Sequence, residues 1–294
     1  MDFVKRVTTE GTPNFVPEAD RIAIFDNDGT LWPEQPICIQ FIFAFDRLKS
    51  LTRIRPELRQ IEPFLSVMEG GLNAMTTLDA TEIVEIIKVA QSGMSTEQFS
   101  SIVAEWLAVA KDLRFGRVYT ELVYQPMLEL LDYLRLNRFK SFIVSGAGAD
   151  FIRVFAERTY RIPPEQVLGS TTLSELRWGK DGPMLMKIPQ VDVLDEGPGK
   201  PPAIDRFIGR RPIFAFGNSD GDKEVLQWTA AHPLTGFVGL LHHTDAEREW
   251  AYDRDSNVGR LDEALDLACA NQWTIVDMAR DWNTVFTPER ATET

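Results

Sequence analysis

The stretch IAIFDNDGTLW, from Ile22 to Trp32, carries the clearest structural signal in the chain. Its first four residues are apolar and favour β-structure, and polar residues begin at once with Asp26. A short, wholly apolar run is typical of a parallel strand that is buried on both faces. Ligand sites in open α/β sheets lie at the carboxyl ends of such strands. The stretch therefore predicts a parallel sheet with Asp26 and Asp28 at its ligand-binding edge.

Further apolar runs of the same kind predict the rest of the sheet. Each is short and gives way to Gly, Ser, Asn or Asp, and they are Phe142–Val144, Ile213–Phe216, Phe237–Leu241 and, as the start of a shorter strand, Val167-Leu168. Helical stretches separate them, one opening at Pro126 and others covering Asp222–Ala230 and Gly259–Ala270. Alternating strands and helices predict an α/β fold with a Rossmann-like parallel sheet and right-handed crossovers.

Residues 33–124 interrupt this alternation, because their apolar residues recur with helical spacing throughout. The clearest helix follows Ser95, which forms a capping box with Gln98 ahead of an apolar stripe. A second helix is predicted over Thr81–Ala90. We therefore expect an α/β core over residues 1–32 and 125–294, with a helical subdomain inserted over 33–124.

Composition excludes several classes of protein. The 294 residues include 44 acidic and 31 basic side chains, giving a formal net charge of −13, and no run of Lys or Arg could follow a phosphate backbone. The two cysteines, Cys38 and Cys269, are too few and too far apart for a disulfide framework or a CxxC metal site. No apolar run reaches the ~18 residues of a membrane helix, and the polar N-terminus lacks the apolar stretch of a signal peptide. We expect a cytoplasmic protein with no nucleic-acid or membrane partner; the sequence leaves the oligomeric state open.

Asp26 and Asp28 are the first candidate catalytic residues. Two carboxylates placed two residues apart on a turn can act on one phosphorus atom, one by attacking it and the other by handling the proton of the leaving group. A calcium loop is excluded, because Gly29 stands at the fourth loop position rather than the sixth and Ile37 stands at the twelfth. An Asx-rich structural turn remains the alternative.

Three later segments also place polar residues after a strand or ahead of a helix. Ser145 and Gly146 offer a hydroxyl and backbone N–H groups that could hold a phosphoryl oxygen. A dinucleotide loop fits poorly here, because Phe151 occupies the position of its third glycine. Lys200 lies in a Gly/Pro-rich loop, and taken alone it would be interpreted as a surface lysine. The third segment carries Asn218, Ser219, Asp220 and Asp222, which taken alone would suggest a solvated turn or a helix cap.

Taken in order, these segments resemble the four-motif signature of the haloacid dehalogenase-like (HAD) hydrolase superfamily. The motifs are Asp26-x-Asp28-Gly-Thr, then Ser145, then Lys200, then Gly217–Asp222, and the resemblance spans Ile22 to Leu226. The helical insert resembles the cap of the phosphoserine phosphatase-like members of that superfamily.

The resemblance implies a role for each motif. Asp26 would attack phosphorus and become an aspartyl phosphate, while Asp28 would protonate the leaving alcohol and then accept a proton from water. Ser145 and Gly146, with Thr30, would bind the substrate. Lys200 would offset the phosphoryl charge and restrain Asp26.

The resemblance also implies a Mg²⁺ cofactor, bound by Asp26, by the Asp28 carbonyl and by Asn218 and Asp222 of the fourth motif. This chain departs from the family pattern at Asn218, where an acidic residue is usual, so the amide brings an oxygen ligand without its charge. The direction of the extra carboxylate, Asp220, is left open by the sequence.

The expected function is a Mg²⁺-dependent phosphatase that hydrolyses a small organic phosphomonoester. A phosphomutase of the same superfamily and a catalytically silent binding module are the alternatives. Dehalogenation is disfavoured, because it makes no use of a proton donor at Asp28. The adjacent His242 and His243 would point to opposite faces of a strand, so they are not expected to share a metal ion.

Overall fold

An eight-stranded, mainly parallel sheet forms the centre of the computed structural model, which describes residues 1–180 and 182–288. The strands are β1 (Ile22–Phe25), β2 (Lys140–Gly148), β3 (Val167–Gly179), β4 (Gly182–Val193), β5 (Phe214–Gly217), β6 (Phe237–Thr244), β7 (Ala251–Tyr252) and β8 (Thr274–Asp277). Their order is β4-β3-β2-β1-β5-β6-β7, and β8 pairs with β6. All pairings are parallel except those of β3 with β4 and β6 with β7. The predicted α/β fold with a Rossmann-like sheet is confirmed.

Strand β1 occupies the middle of the sheet, between β2 and β5. Its side chains alternate between two apolar clusters, because Ala23 and Phe25 join one and Ile22 and Ile24 join the other. This explains why all four residues are apolar. The amide of Asp26 continues the ladder by donating to the Phe216 carbonyl at 3.0 Å, so Asp26 leaves the sheet at its carboxyl edge.

Helices cover both faces of the sheet. They are α1 (Asp2–Thr8), α2 (Ile39–Ile54), α3 (Phe64–Met75), α4 (Ala80–Gln91), α5 (Thr96–Val109), α6 (Gln125–Leu136), α7 (Ala149–Tyr160), α8 (Lys200–Phe207), α9 (Lys223–Ala230), α10 (Glu263–Ala270) and α11 (Met278–Asp281). Helices α8, α9 and α10 pack on the face of Ile22 and Ile24, and α6 and α7 pack on the other. No helix in the described part of the chain is long and apolar enough to cross a membrane.

Two elements differ from the sequence-based expectation. The short strand expected at Val167 is thirteen residues long, because only its start pairs with β2 and the rest forms a hairpin with β4. The helix expected from Gly259 begins at Glu263, since Gly259 has a φ of +64° and therefore cannot continue a right-handed helix. The capping box of Ser95 and Gln98 forms as predicted at the start of α5.

The predicted insert over residues 33–124 contains side chains of two different cores. Apolar residues between Ile37 and Ala90 form a separate cluster among α2, α3 and α4. In contrast, Phe99, Val103 and Leu107 of α5 pack with the main core. We use the term cap for α2, α3 and α4 with their connections. The boundary at residue 124 stays a prediction, and residues 289–294 of the predicted core lie outside the described residues.

The β3–β4 hairpin joins the cap to the core. Lys187 of β4 exchanges backbone hydrogen bonds with the segment ahead of α5, donating to the Met94 carbonyl at 2.9 Å and accepting from the Gly93 amide at 3.2 Å. Its side chain is buried and lies 5.1 Å from the centre of the Phe99 ring. The ammonium group pairs with the carboxylate of Asp150 in the first turn of α7. The buried ammonium group of Lys187 thus attaches the hairpin to α7.

We expect Asp150→Ala to lower the free energy of unfolding by about 3 kcal/mol, because it leaves the Lys187 ammonium buried without its partner. The double variant Asp150→Ala/Lys187→Met should recover most of that loss, since no buried charge remains. Urea unfolding of both variants measures the difference. A double variant as unstable as Asp150→Ala would show that the loss does not arise from the unpaired charge.

Candidate active site

A cavity of about 500 Å³ lies between the carboxyl edge of the sheet and the cap. Five of the predicted site residues line it: Asp26, Asp28, Ser145, Gly146 and Lys200. They come from the ends of β1 and β2 and from the first residue of α8. The sequence motifs therefore meet at one place, as expected for parallel strands that end at one edge of a sheet.

Lys200 lies between two carboxylates. Its Nζ atom is 3.0 Å from Asp26 Oδ1 and 2.6 Å from Asp222 Oδ1, and the residue is only 2% exposed. This burial rules out the surface-lysine alternative. Burial by itself disfavours the charged lysine, but Asp222 and Asp26 outweigh it and raise the pKa of Lys200 well above its usual value. The side chain is therefore a fixed positive charge beside Asp26.

Asp26 and Asp28 occupy different environments. Burial raises the pKa of Asp26 well above its usual value, and the positive charge of Lys200 opposes that shift. Burial also raises the pKa of Asp28 to about 6, against the effect of the Trp32 indole N–H, which donates to Asp28 Oδ1 at 2.7 Å. A carboxyl group with a pKa near neutrality can both give and take a proton. The indole holds Asp28 in one orientation.

The loop after β1 requires glycine at position 29. Gly29 has a φ of +72°, and a Cβ atom there would lie 2.2 Å from Asn218 Nδ2 and 2.3 Å from Glu34 Oε1. Its carbonyl lies 2.7 Å from Nε2 of the buried His243, whose Nδ1 lies 3.1 Å from the Glu249 carboxylate. His242 instead lies 3.5 Å from Asp253. The two histidines thus contact different partners, and His243 holds the loop.

Ser145 and Gly146 stand at the end of β2. The Ser145 hydroxyl accepts a hydrogen bond from the Ala147 amide at 3.2 Å, which leaves its own proton free to donate into the cavity. The Gly146 carbonyl accepts from the Ser170 hydroxyl at 2.7 Å, so β3 orients this peptide. A Cβ atom on Gly146 would lie 1.8 Å from Glu196 Oε2. Sequence reasoning missed Glu196, although it precedes Lys200 by four residues.

Thr30, which the resemblance assigns to substrate binding, is not among the residues that line the cavity, and that assignment stays a prediction. The residue is fully buried, and its hydroxyl donates to Asn218 Oδ1 at 2.9 Å. The Asn218 amide nitrogen donates in turn to Glu34 Oε1 at 2.6 Å, and the Tyr252 hydroxyl donates to the same oxygen at 2.9 Å. Glu34 was also missed by sequence reasoning, because nothing in its spacing distinguishes it from a loop residue.

The carboxylates of Asp220 and Asp222, in the fourth motif, both contact other groups of the protein. Asp222 Oδ1 contacts Lys200, and Oδ2 accepts from the amides of Asn218 and Ser219 at 3.0 and 3.2 Å. Both oxygens therefore already have protein partners. Asp220 Oδ1 accepts from the amides of Asp262 and Ala264, so this carboxylate is directed at the start of α10. Across residues 1–180 and 182–288, no group of three or more His, Cys, Asp or Glu side chains is arranged to hold a metal ion.

Comparisons with known proteins give one matching family and several similar solved structures. Residues 23–227 match the family described as haloacid dehalogenase-like hydrolase. A protein of unknown function from Anaerococcus prevotii DSM 20548 has a similar structure, with a TM-score of 0.54 and 15% identity over 83% of this chain and 84% of that one. A protein of unknown function from Bordetella pertussis Tohama I has a TM-score of 0.52 and 14% identity over 88% of this chain and 98% of that one. A probable phosphoserine phosphatase from Vibrio cholerae has a TM-score of 0.43 and 13% identity over 88% of this chain and 68% of that one. No curated protein matches the sequence.

Asp195, which precedes Glu196, generates a prediction about pH and stability. It is fully buried, and neither carboxylate oxygen has a hydrogen-bond partner among the described residues. Burial raises its pKa from 3.8 to about 7, so the folded protein binds this proton more tightly than the unfolded chain does. The free energy of unfolding should therefore fall as pH rises between these two values, by at most about 4 kcal/mol from this group.

We expect Asp195→Asn to raise the melting temperature by several degrees at about pH 8 and by roughly a third as much at about pH 5, where the loss of stability is only partly developed. Thermal unfolding in the presence of a chelator measures both. The exposed Asp192→Asn is the matched control and should behave like the unchanged protein. Equal effects of Asp195→Asn at the two pH values would contradict the expectation.

Proposed function

The chain belongs to the haloacid dehalogenase-like hydrolase family, and on that premise we propose that it is a Mg²⁺-dependent phosphatase acting on a small organic phosphomonoester. The observation that carries the proposal is the buried Lys200 ammonium, which contacts Asp26 while Asp28 lines the same cavity. A nucleophile beside a fixed positive charge, with a separate proton donor, is what phosphoryl transfer requires.

In the proposed reaction, one Asp26 oxygen attacks phosphorus as the bond to the leaving oxygen breaks. Asp28 gives its proton to that oxygen, so the product leaves as a neutral alcohol. Lys200 offsets negative charge on the transferred group, and the Ser145 hydroxyl and the Gly146 amide donate to its oxygens. In the second step Asp28 takes a proton from water, which attacks the aspartyl phosphate and releases inorganic phosphate.

The residues that would hold Mg²⁺ are Asp26 through its carboxylate, Asp28 through its carbonyl and Asn218 through its amide oxygen. All three are hard oxygen donors, which fit this ion. When bound, the ion supplies further positive charge for the transferring phosphoryl group. Among the described residues the Asn218 oxygen accepts one hydrogen bond, from Thr30, which leaves it a second lone pair. We assign Asp222 to holding Lys200 rather than to the metal, because both of its oxygens have partners.

We expect Asp26→Asn to abolish release of inorganic phosphate, because an amide oxygen is too weak a nucleophile. Asp28→Asn should act on different steps. A substrate with a good leaving group should still phosphorylate Asp26, while hydrolysis of the intermediate slows by about 10² to 10⁴ for lack of a general base.

Rapid quench with mass spectrometry locates and times the phosphoryl group, with Asp192→Asn as the control. Labelling of another residue would overturn the mechanism. A silent binding module would show no labelling at all, and a phosphomutase would label Asp26 but release little inorganic phosphate.

A further inference from the structure

The cap contributes apolar side chains to the wall of the cavity. Ile83, Val84 and Ile87 of α4 line it, together with Phe41 of α2. Val191 and Leu194, at the end of the hairpin, contribute further apolar surface and are 37% and 60% exposed. The catalytic carboxylates and Lys200 therefore share one cavity with a large area of hydrocarbon surface.

Helix α4 has one broad apolar surface, and the described residues cover only part of it. Ile86 and Ala90 are 1% and 2% exposed and belong to the cap's own core, against which Val89 also packs. Ile83, Val84 and Ile87 are half-buried and belong to none of the apolar clusters of the described residues. These three residues, here called the α4 stripe, widen the apolar surface beyond the part that packs on the cap core, and they border the cavity instead.

The polar side chains that the cap contributes to the cavity are few, and two of them are engaged. The Lys88 ammonium contacts Glu85 at 2.6 Å, and the Gln40 carbonyl oxygen accepts from the Gly148 amide at 2.7 Å. Thr76 and Gln91 are further polar cap residues of the lining, whereas the rest of the chain contributes more polar groups, among them Thr171, Thr172, Glu196, Asn257 and Arg260. A ligand with several hydroxyl or charged groups would lose their hydration against the α4 stripe without gaining partners there.

We propose that the cavity binds the organic part of the substrate and that this part is apolar: a medium-chain alkyl or an aryl phosphomonoester rather than a phosphorylated amino acid or sugar. This inference rests on the proposed function, because phosphorus attacked by Asp26 would direct the rest of the molecule along the α4 stripe. Leu194 and Val191 would be covered by the same group. The volume of about 500 Å³ is within the range of pockets that enclose ligands of this size.

The first test is turnover of a series of n-alkyl phosphates from ethyl to octyl, with phosphoserine and glycerol phosphate as polar members of comparable size. We expect kcat/KM to rise by up to about fourfold for each added methylene until the cavity is filled, which corresponds to about 0.8 kcal/mol. The polar members should fall at least about tenfold below the alkyl phosphate of similar length. Equal kcat/KM across the series would overturn the inference.

Matched variants test the stripe itself. Val84→Thr places a hydroxyl in the cavity at nearly constant volume and should lower the ratio of kcat/KM for octyl phosphate to kcat/KM for ethyl phosphate about tenfold. Val89→Thr makes the same change on the same helix, on the side that faces the cap core, and should leave the ratio of the two substrates unchanged. An unchanged ratio in Val84→Thr would also overturn the inference.

Measurements of ligand binding distinguish a failure of this inference from a failure of the proposed function. n-Alkylphosphonates have no hydrolysable ester bond, and calorimetry should show their Kd falling with chain length in the unchanged protein but less steeply in Val84→Thr. If none of the phosphate esters of the series is hydrolysed while phosphonate binding still strengthens with chain length, the proposed phosphatase function fails and the apolar site stands. If these esters are hydrolysed and phosphonate affinity is independent of chain length, the apolar site fails and the phosphatase stands.

Discussion

The buried ammonium group of Lys200, shared by Asp26 and Asp222, is the contact on which the geometry of the site depends. It joins the first residue of α8 to the end of β1 and to the turn after β5. Asp26, Asp28 and Glu34 also lie at this edge, and like charges in a buried site repel one another. One positive charge at the centre makes their close approach possible, and loss of it would leave buried carboxylates unpaired.

The loop that carries Asp26 and Asp28 is held by the nearby Trp32 and by side chains far away in the sequence. Trp32 donates to Asp28 and stacks on Phe155, with ring centres 4.5 Å apart. His243 contacts the Gly29 carbonyl and is itself held by Glu249, which also accepts from the Tyr124 hydroxyl. A nucleophile that must meet phosphorus in line benefits from such restraint, because small displacements reduce the rate strongly.

The cap and the hairpin enclose the site, and in each of them the distribution of apolar and charged residues is unusual. Helix α4 carries a broad apolar surface, part of which packs on the cap core while the rest borders the cavity. Strand β4 buries Lys187 against Asp150 and Phe99, so a charged residue fastens the hairpin. In both cases the local departure from ordinary amphipathic patterning has a tertiary cause: the helix faces a cavity as well as a core, and the lysine finds its partner on another element.

Local patterns in the sequence were sufficient to predict the parallel strands, the Ser95 capping box and the position of Asp26 and Ser145 at one edge of the sheet, because strand periodicity and the edge rule for α/β sheets act over a few residues at a time. The role of Lys200 was predicted only from the resemblance to a family. The orientation of each side chain depended instead on partners distant in the chain. Thr30 bonds Asn218, Asp220 caps α10, and Glu34 enters the site through Asn218 and Tyr252. Such contacts link residues up to about two hundred positions apart, and no spacing rule encodes them, since they form only when packing has brought the elements together.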